Sequence, residues 1–267
     1  FNQSDLDSWV DEYFGPLTTP DREIPRVTAV EPERTQARDY TVYEPNVPLP
    51  AVAISWPSPA ANAAPEDLAA FTIMDSVFGA GQSSRLYQSV VYDQQLAVDA
   101  FTLFEVTQHP GTFGLGAIVS DGKDPAEALA ALRNEAAQMR DTLITEAELE
   151  EARNELITEY LKGRETASGR AFELAYNVTM YGDPDAGDAE LAALQSVTPE
   201  DVQRMAQQVM DDGKAVTITY LPEETQGDAP EDTITDSPNI QATEIEIAAA
   251  DIPTYTLAPE GERELPP

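Results

Sequence analysis

FGAGQSSRLYQSVV, residues Phe78–Val91, is a short glycine-containing turn that leads directly into an amphipathic helix, and it decides the fold. Gly79–Gly81 ends one helical pattern, because glycine tolerates the backbone conformations that stop a helix. Ser83 or Ser84 can cap the next helix, which runs through Tyr92, since a serine hydroxyl accepts a hydrogen bond from a free N–H of the first turn. The stretch therefore predicts two helices joined by a tight turn.

Strand patterns lie on both sides of this helix pair. Before it, Tyr40–Tyr43 and Ala51–Trp56 are alternating or continuously apolar, and Pro65–Phe78 follows as a helix with proline in its first turn. After it, Ala97–Thr107 and Thr112–Val119 predict two further strands joined by a short turn. Strands therefore surround the helix pair in sequence.

The central third of the chain predicts helices from their start signals. Asp124–Glu127 combines a cap, a proline and a carboxylate, Thr145–Glu148 is a capping box, and Thr198–Asp201 repeats the cap and proline. Apolar residues at helical spacing form three faces, typical of helices that pack on a core. These faces are Leu129, Leu132, Ala136 and Met139; Leu149, Ala152, Leu156, Tyr160 and Leu161; and Phe172, Ala175, Val178 and Thr179.

The order of the elements, closed by a strand over Ala215–Leu221, predicts an α+β fold. We expect a two-layer sandwich in which helices pack on one face of a mostly antiparallel sheet. The domain is predicted over residues 39–222, after a short helix at Ser4–Phe14 and a proline-punctuated linker within residues 1–38. Residues 223–267 are an acidic, proline-rich linker or strap. Alternation within Thr243–Ile247 predicts a strand with Ile245 and Ile247 buried against a neighbouring part of the assembled protein.

The composition limits the partners and the chemistry. The 267 residues carry 49 acidic and 15 basic side chains, a formal net charge of −34. Nucleic acid is therefore excluded as a partner, because phosphate binding needs clustered Lys and Arg. The absence of cysteine excludes disulfides and thiolate chemistry. No apolar run has the length of a membrane span. The excess of acidic residues is typical of a soluble, salt-tolerant protein, and an electrostatic field that attracts basic peptides is the alternative interpretation.

Residues that could carry chemistry are few. His109 is the only histidine, and it lies in a His-Pro-Gly turn between two predicted strands. One histidine without cysteine cannot supply the usual zinc ligands. Gly79–Gly81 is not followed by the Gly-Lys-Ser/Thr of a phosphate-binding loop. Five carboxylates follow the spacing of a solvated helix surface, and these are Glu148, Glu150, Glu151, Glu155 and Glu159.

An ordered set of motifs over about residues 40 to 222 resembles the pitrilysin/insulinase family of zinc metallopeptidases. That family includes the subunits of mitochondrial processing peptidase. The matching stretches are Gly79–Gln88, Leu96–Thr107, Pro125–Leu132, Thr145–Leu149, Gly182, Ser196–Val202 and Val216–Pro222, and Trp9–Gly15 resembles the last helix of a preceding domain.

The resemblance implies both the fold and the place of this chain in a larger protein. Each half of such a protein has two similar α+β domains with the fold of the processing peptidases and LuxS-like metallohydrolases. The zinc motif His-x-x-Glu-His belongs to a first domain and is absent here. The chain therefore resembles a second, non-catalytic domain, with zinc and the catalytic groups expected in a preceding segment. A first residue Phe1 in place of methionine is expected of a processed chain or a fragment.

The resemblance also implies which positions meet substrate. Many family members hold substrate with an Arg and a Tyr in the non-zinc half, and an ungapped match puts these positions at Val91 and Val98. Neither valine side chain donates a hydrogen bond, so the domain is assigned to the zinc-bearing half, and a partner half would supply the pair. Processing peptidases carry a glycine-rich loop where this chain has the turn, so we expect five residues to line a substrate chamber. These are Phe78, Gly79, Ala80, Gly81 and Gln82.

The function expected from the resemblance is that of a chamber wall in a zinc metalloendopeptidase, inactive as an isolated chain. The expected partners are the catalytic domain, the second half and a peptide substrate, in the periplasm or cell envelope. Two alternatives stay open: a structural, core-type subunit of the same fold in a larger complex, and a stand-alone peptide-binding module. A His-x-x-Glu-His motif encoded upstream of Phe1 would select the enzyme.

Overall fold

A computed structural model of the chain describes residues 2–18, 32–107 and 109–225. These residues divide into two compact units between Gln36 and Ala37. The first unit contains helix α1, Gln3–Tyr13, which begins where the side chain of Asn2 accepts a hydrogen bond from the backbone N–H of Ser4 at 3.0 Å. The predicted strand Thr243–Ile247 and most of the predicted strap lie outside the described residues.

The second unit is built on a five-stranded sheet with the order β1-β5-β2-β4-β3. The strands β2–β4, β2–β5 and β3–β4 pair antiparallel, and β1 pairs parallel with β5. The predicted mostly antiparallel α+β architecture is thus confirmed. The strands are β1 (Arg38–Glu44), β2 (Ala51–Pro57), β3 (Ala97–Phe104), β4 (Thr112–Val119) and β5 (Val216–Pro222).

Six α-helices complete this unit within the described residues, and the predicted caps are present. Asp124, Thr145 and Thr198 each accept a hydrogen bond from the first turn of their helix, and the two threonines form full capping boxes. The helices are α2 (Pro65–Gly79), α3 (Pro125–Asp141), α4 (Glu146–Gly163), α5 (Ala167–Tyr181), α6 (Ala186–Ser196) and α7 (Pro199–Val209).

The core lies between the helices and one face of the sheet. Val52, Ile54 and Trp56 alternate along β2 toward the helices and are fully buried. Phe113 of β4 meets Phe71 of α2 edge to face, with ring centroids 5.3 Å apart. Burying each such side chain contributes about 1.5–3 kcal/mol, so these contacts fix the helical layer on the sheet.

The helix after the turn differs from the prediction in its winding. Residues Tyr87–Asp93 form a π-helix rather than an α-helix. The backbone N–H of Gln94 reaches back to the carbonyl of Ser89 at 3.1 Å, and the Gln94 side chain donates to the Ser89 hydroxyl at 2.9 Å. These two bonds stabilise the wider turn, and no periodicity in the sequence announces them.

The third apolar face was predicted wrongly as a packing face. On α5, Phe172 is 76% exposed and Val178 is 51% exposed, and Asn177 is the buried residue of the helix. The helix is held instead by polar contacts of Glu173 and Asn177 on its other side. Spacing alone cannot distinguish a face that meets the domain's own core from one that is left to solvent.

Candidate functional site

The turn Phe78–Gln82 is built by packing and backbone geometry. Phe78 is fully buried in the core. A Cβ at Gly79 would lie 2.7 Å from the hydroxyl oxygen of Thr102 on β3, so only glycine fits this contact. Gly81 has φ +67°, a left-handed conformation that other residues rarely adopt. Both glycines therefore have structural reasons to be present.

Hydrogen bonds hold the turn in one shape. The Ser84 hydroxyl donates to the carbonyl of Gly81 at 2.8 Å and accepts from the N–H of Tyr87 at 3.4 Å. This makes Ser84, of the two predicted serines, the cap. The Gln88 side chain donates to the carbonyl of Gln82 at 2.6 Å. Gly81 and Gln82 are the exposed residues of the turn, and their contact with substrate stays a prediction.

Arg85 connects the turn to α4 through a bidentate ion pair with Glu148. Its Nε and Nη2 atoms lie 2.7 and 3.1 Å from the two carboxylate oxygens of Glu148. Glu148 also accepts hydrogen bonds from the N–H and hydroxyl of Thr145 in the capping box. Burial acts to raise the pKa of Glu148, but the bonds from Arg85 and Thr145 outweigh it and lower the pKa. The arginine of this motif is therefore a structural clamp.

Val91 and Val98 lie on consecutive elements with different surroundings. Val91 belongs to the π-helix and is partly buried against the core. Val98 is on β3 and is 55% exposed, beside a bulge between Ala97 and Asp99. The assignment of these positions to an absent Arg and Tyr pair stays a prediction.

The histidine and the acidic residues of α4 show no catalytic arrangement in the described part of the chain. His109 is exposed, and its carbonyl accepts a hydrogen bond from the Thr107 hydroxyl at 2.6 Å. Within residues 2–18, 32–107 and 109–225, no group of three or more His, Cys, Asp or Glu side chains could hold a metal ion. Except for the clamped Glu148, the predicted carboxylates are exposed on α4, and these are Glu150, Glu151, Glu155 and Glu159.

The sheet face away from the helices is a broad surface without charge at its centre. The strands β2, β4 and β5 contain no charged residue, although the chain as a whole has 49 acidic ones. On β4, Gly114 and Gly116 occupy the positions that belong to this face, and the ring of Phe101 from β3 lies directly over Gly116. Ile218 on β5 is 38% exposed there, and its partner across the ladder is Ala53.

This open sheet face can receive an extended peptide or another protein surface. Its larger apolar side chains, among them Phe101, Leu103 and Ile218, offer area to bury. Gly114 and Gly116 let the side chains of Leu103 and Phe101 lie flat across the sheet. Sequence reasoning missed this face, because only the strand order and register bring its residues together. Its small and apolar members are Tyr40, Val42, Ala51, Ala53, Phe101, Leu103, Gly114, Gly116, Ile118, Val216, Ile218 and Tyr220, and the register adds Ser55 on β2 and the charged residues Arg38, Glu44 and Asp99 on the edge strands.

A second cluster that the sequence did not predict joins α4, α5 and α6. Glu173 accepts hydrogen bonds from Arg164, Tyr160 and Arg170 at 2.6, 2.6 and 2.8 Å. Burial acts to raise the pKa of Glu173, but these bonds lower it to about 2. Arg164 also bonds Asp188 of α6 at 2.7 Å. Glu173 and Asp188 are each paired with an arginine, so this arrangement is structural.

Comparison with known proteins gives one family and many similar structures. Residues 1–156 match the family model described as the peptidase M16 inactive domain. No curated protein sequence matches the chain. A protease from Helicobacter pylori is similar with a TM-score of 0.77 and 21% identity, over 83% of this chain and 53% of that one.

Two further solved structures show how much of a similar protein this chain covers. A putative zinc protease from Bordetella pertussis Tohama I has a TM-score of 0.59 and 25% identity, over 68% of this chain and 97% of that one. The periplasmic protease PqqL from Escherichia coli has a TM-score of 0.65 and 17% identity, over 83% of this chain and 24% of that one. The chain thus spans about half of the Helicobacter pylori protease and a quarter of the Escherichia coli one. Among the described residues, no helix combines the length and the apolar character needed to cross a membrane.

Proposed function

Because the chain belongs to the family of peptidase M16 inactive domains, we propose that it forms part of the wall of a peptide chamber in a zinc metallopeptidase. The open sheet face is the observation that carries this proposal. It is apolar, rich in small residues and free of charge at its centre, while the rest of the surface is strongly acidic. A peptide that lies across the centre of such a wall meets no fixed charge there.

The residues of this chain do not fit a catalytic zinc ion. The sequence offers one histidine and no cysteine, and His109 is exposed in a turn apart from any acidic cluster of the described residues. Zinc in catalytic sites takes three protein ligands and a water. The ion and its general base therefore come from another domain, in a preceding segment or a partner chain, and this domain contributes surface rather than chemistry.

The partners of this proposal are the remaining domains of the same peptidase and the peptide that they enclose. The edge strands support the pairing with other domains. In the described sheet, β1 and β3 each have one side without a strand partner, and such edges pair readily with strands of neighbouring domains. Residues Gly79–Gln82 of the turn belong to this proposal as a chamber-lining loop, whereas Phe78, which was expected to line the chamber with them, is fully buried in the core of the domain. We place the protein in the periplasm or cell envelope, as the periplasmic Escherichia coli neighbour suggests.

The same open face favours a second candidate, a structural subunit. A sheet face with apolar side chains can be buried permanently against another protein, as in an obligate interface. In that case no peptide would reach Ala53 or Ile218. In the chamber wall the face contacts solvent and substrate, whereas in a structural subunit a partner's side chains cover it.

Reconstitution tests the peptidase proposal. The chain alone should bind no stoichiometric zinc and cleave no peptide, whereas the assembly purified with its zinc-bearing partner should cleave and should lose activity when this chain is removed. Stoichiometric zinc with turnover by this chain alone would overturn the proposal. An assembly without cleavage or zinc would favour the structural subunit.

A further inference from the structure

A cavity of about 370 Å³ lies on the helical side of the sheet, apart from the open sheet face and the turn. It is partly open to solvent and is bordered by the start of α2, the end of β3 and the junction between α5 and α6. None of the residues that line it is basic, and two are acidic. The lining residues that matter here are Leu68, Phe104, Tyr176, Tyr181, Asp183 and Glu190.

The aromatic side of this cavity is held in place. Phe104 stacks on Phe71 with ring centroids 4.9 Å apart. Tyr176 and Tyr181 contact edge to face at 6.1 Å. The side chain of Asn177, buried on α5, donates to the carbonyl of Pro184 at 3.2 Å and fixes the junction with α6. A ligand would therefore meet a surface that needs little ordering.

Glu190 is the half-buried one of the two acidic groups that line the cavity, and the other, Asp183, is exposed. Glu190 makes no hydrogen bond or ion pair with any described residue. Arg164, whose positive charge acts on it, is already bonded to Glu173 and Asp188. Burial, followed by the charge of Glu173, raises the pKa of Glu190, and the charge of Arg164 opposes this. A half-buried carboxyl without a partner is costly, so a cation that reached it would gain free energy.

We propose that this cavity binds an organic cation with an apolar stem, such as the side chain of arginine or lysine in a peptide. The cationic head would pair with Glu190, and the stem would lie against Leu68 and Phe104. The rings of Tyr176 and Tyr181 would add cation–π attraction. Asp183 at the rim would favour entry of positive charge.

Other ligand classes fit this cavity less well. A metal ion would need more ligands than Asp183 and Glu190 provide, and the described residues contain no group of three metal-ligating side chains. An anion would meet two carboxylates and no base. A neutral apolar molecule would cover the aromatic wall but leave Glu190 without a partner. The proposal does not depend on the peptidase function, because it concerns the opposite side of the sheet.

Titration of the full chain with N-acetyl-arginine amide, followed by NMR chemical shifts, tests this inference. N-acetyl-citrulline amide, which has the same shape without the charge, is the matched probe. We expect saturable shifts at Tyr176 and Tyr181 with the arginine probe and at least tenfold weaker binding of the citrulline probe.

Variants locate the site. Glu190→Gln should weaken arginine binding at least tenfold, and Tyr176→Leu should weaken it severalfold while leaving the carboxyl in place. Glu150→Gln, which removes an exposed acid on α4, should change it less than twofold. Equal binding of arginine and citrulline probes, or equal loss in Glu190→Gln and Glu150→Gln, would overturn the proposal and indicate non-specific attraction to an acidic surface. Tyr176→Leu tests the same cavity even if Glu190→Gln fails to fold, and unchanged arginine binding in it would also overturn the proposal.

Discussion

At the scale of single residues, the motif that resembles a peptidase signature is mainly structural. Gly79 makes room for Thr102, Gly81 takes a left-handed backbone, and Arg85 clamps Glu148. These residues therefore have structural roles that do not require catalytic groups in the same domain. Gly79 lets the turn approach β3, and Arg85 holds it to α4.

The Glu148 clamp can be tested by substitution. Glu148→Gln removes the charge that binds Arg85 and weakens the capping box, so we expect the free energy of unfolding to fall by about 1–2 kcal/mol. Glu150→Gln, at an exposed position on the same helix, is the control and should have little effect. Urea denaturation at neutral pH measures both. Equal losses of unfolding free energy in the two variants would show that the ion pair between Arg85 and Glu148 does not stabilise the fold.

The pKa of Glu148 gives this prediction a pH dependence. Because the folded protein holds that pKa below its usual value, the stabilisation is complete above the unfolded pKa of about 4.3. It is lost as pH falls through the lower folded pKa. The stability difference between the original protein and Glu148→Gln should therefore shrink below about pH 4.3, as urea denaturation over a pH series would show. A difference that grew on acidification would contradict the assignment.

At the scale of elements, α6 packs on α4 and α5 through a glycine. A Cβ at Gly187 would collide with the hydroxyl of Tyr160 and lie 2.7 Å from an oxygen of Glu173. Gly187→Ala should therefore lower the free energy of unfolding by about 1–3 kcal/mol through overpacking. Gly163→Ala is the matched control, because a Cβ there meets nothing within 4 Å. It should leave stability unchanged or raise it by up to about 1 kcal/mol. Thermal unfolding compares the two, and equal losses would refute the close approach.

Sequence patterns predicted elements better than contacts between them. Asp124, Thr145 and Thr198 marked helix starts correctly, because caps are local chemistry. The exposed stripe of α5 was not predictable, because exposure depends on which other residues cover that face of the helix. The π-helix was not predictable either, because it depends on a hydrogen bond shifted by one residue. The open sheet face and the Glu190 cavity combine residues from distant segments. No spacing in the sequence joins them.

At the scale of the whole molecule, the net charge of −34 must act against the compact state. Salt screens repulsion among exposed like charges, and the described ion pairs are few beside the excess of carboxylates. The midpoint of thermal unfolding should therefore rise between about 0.05 and 1 M NaCl. Calorimetry over a salt series checks this. A falling midpoint would mean that ion pairs, rather than repulsion, dominate the electrostatics.

The central claim, that the open sheet face lines a peptide chamber, is tested most directly by site-specific photocross-linking. A benzophenone amino acid replaces Ala53, in the middle of that face, or Ala130, exposed on α3. Each variant is purified with its zinc-bearing partner and illuminated with a labelled peptide substrate. Our account predicts that the peptide cross-links to position 53 and not to position 130. Cross-links from position 53 to a partner protein alone, or equal labelling of both positions, would contradict it.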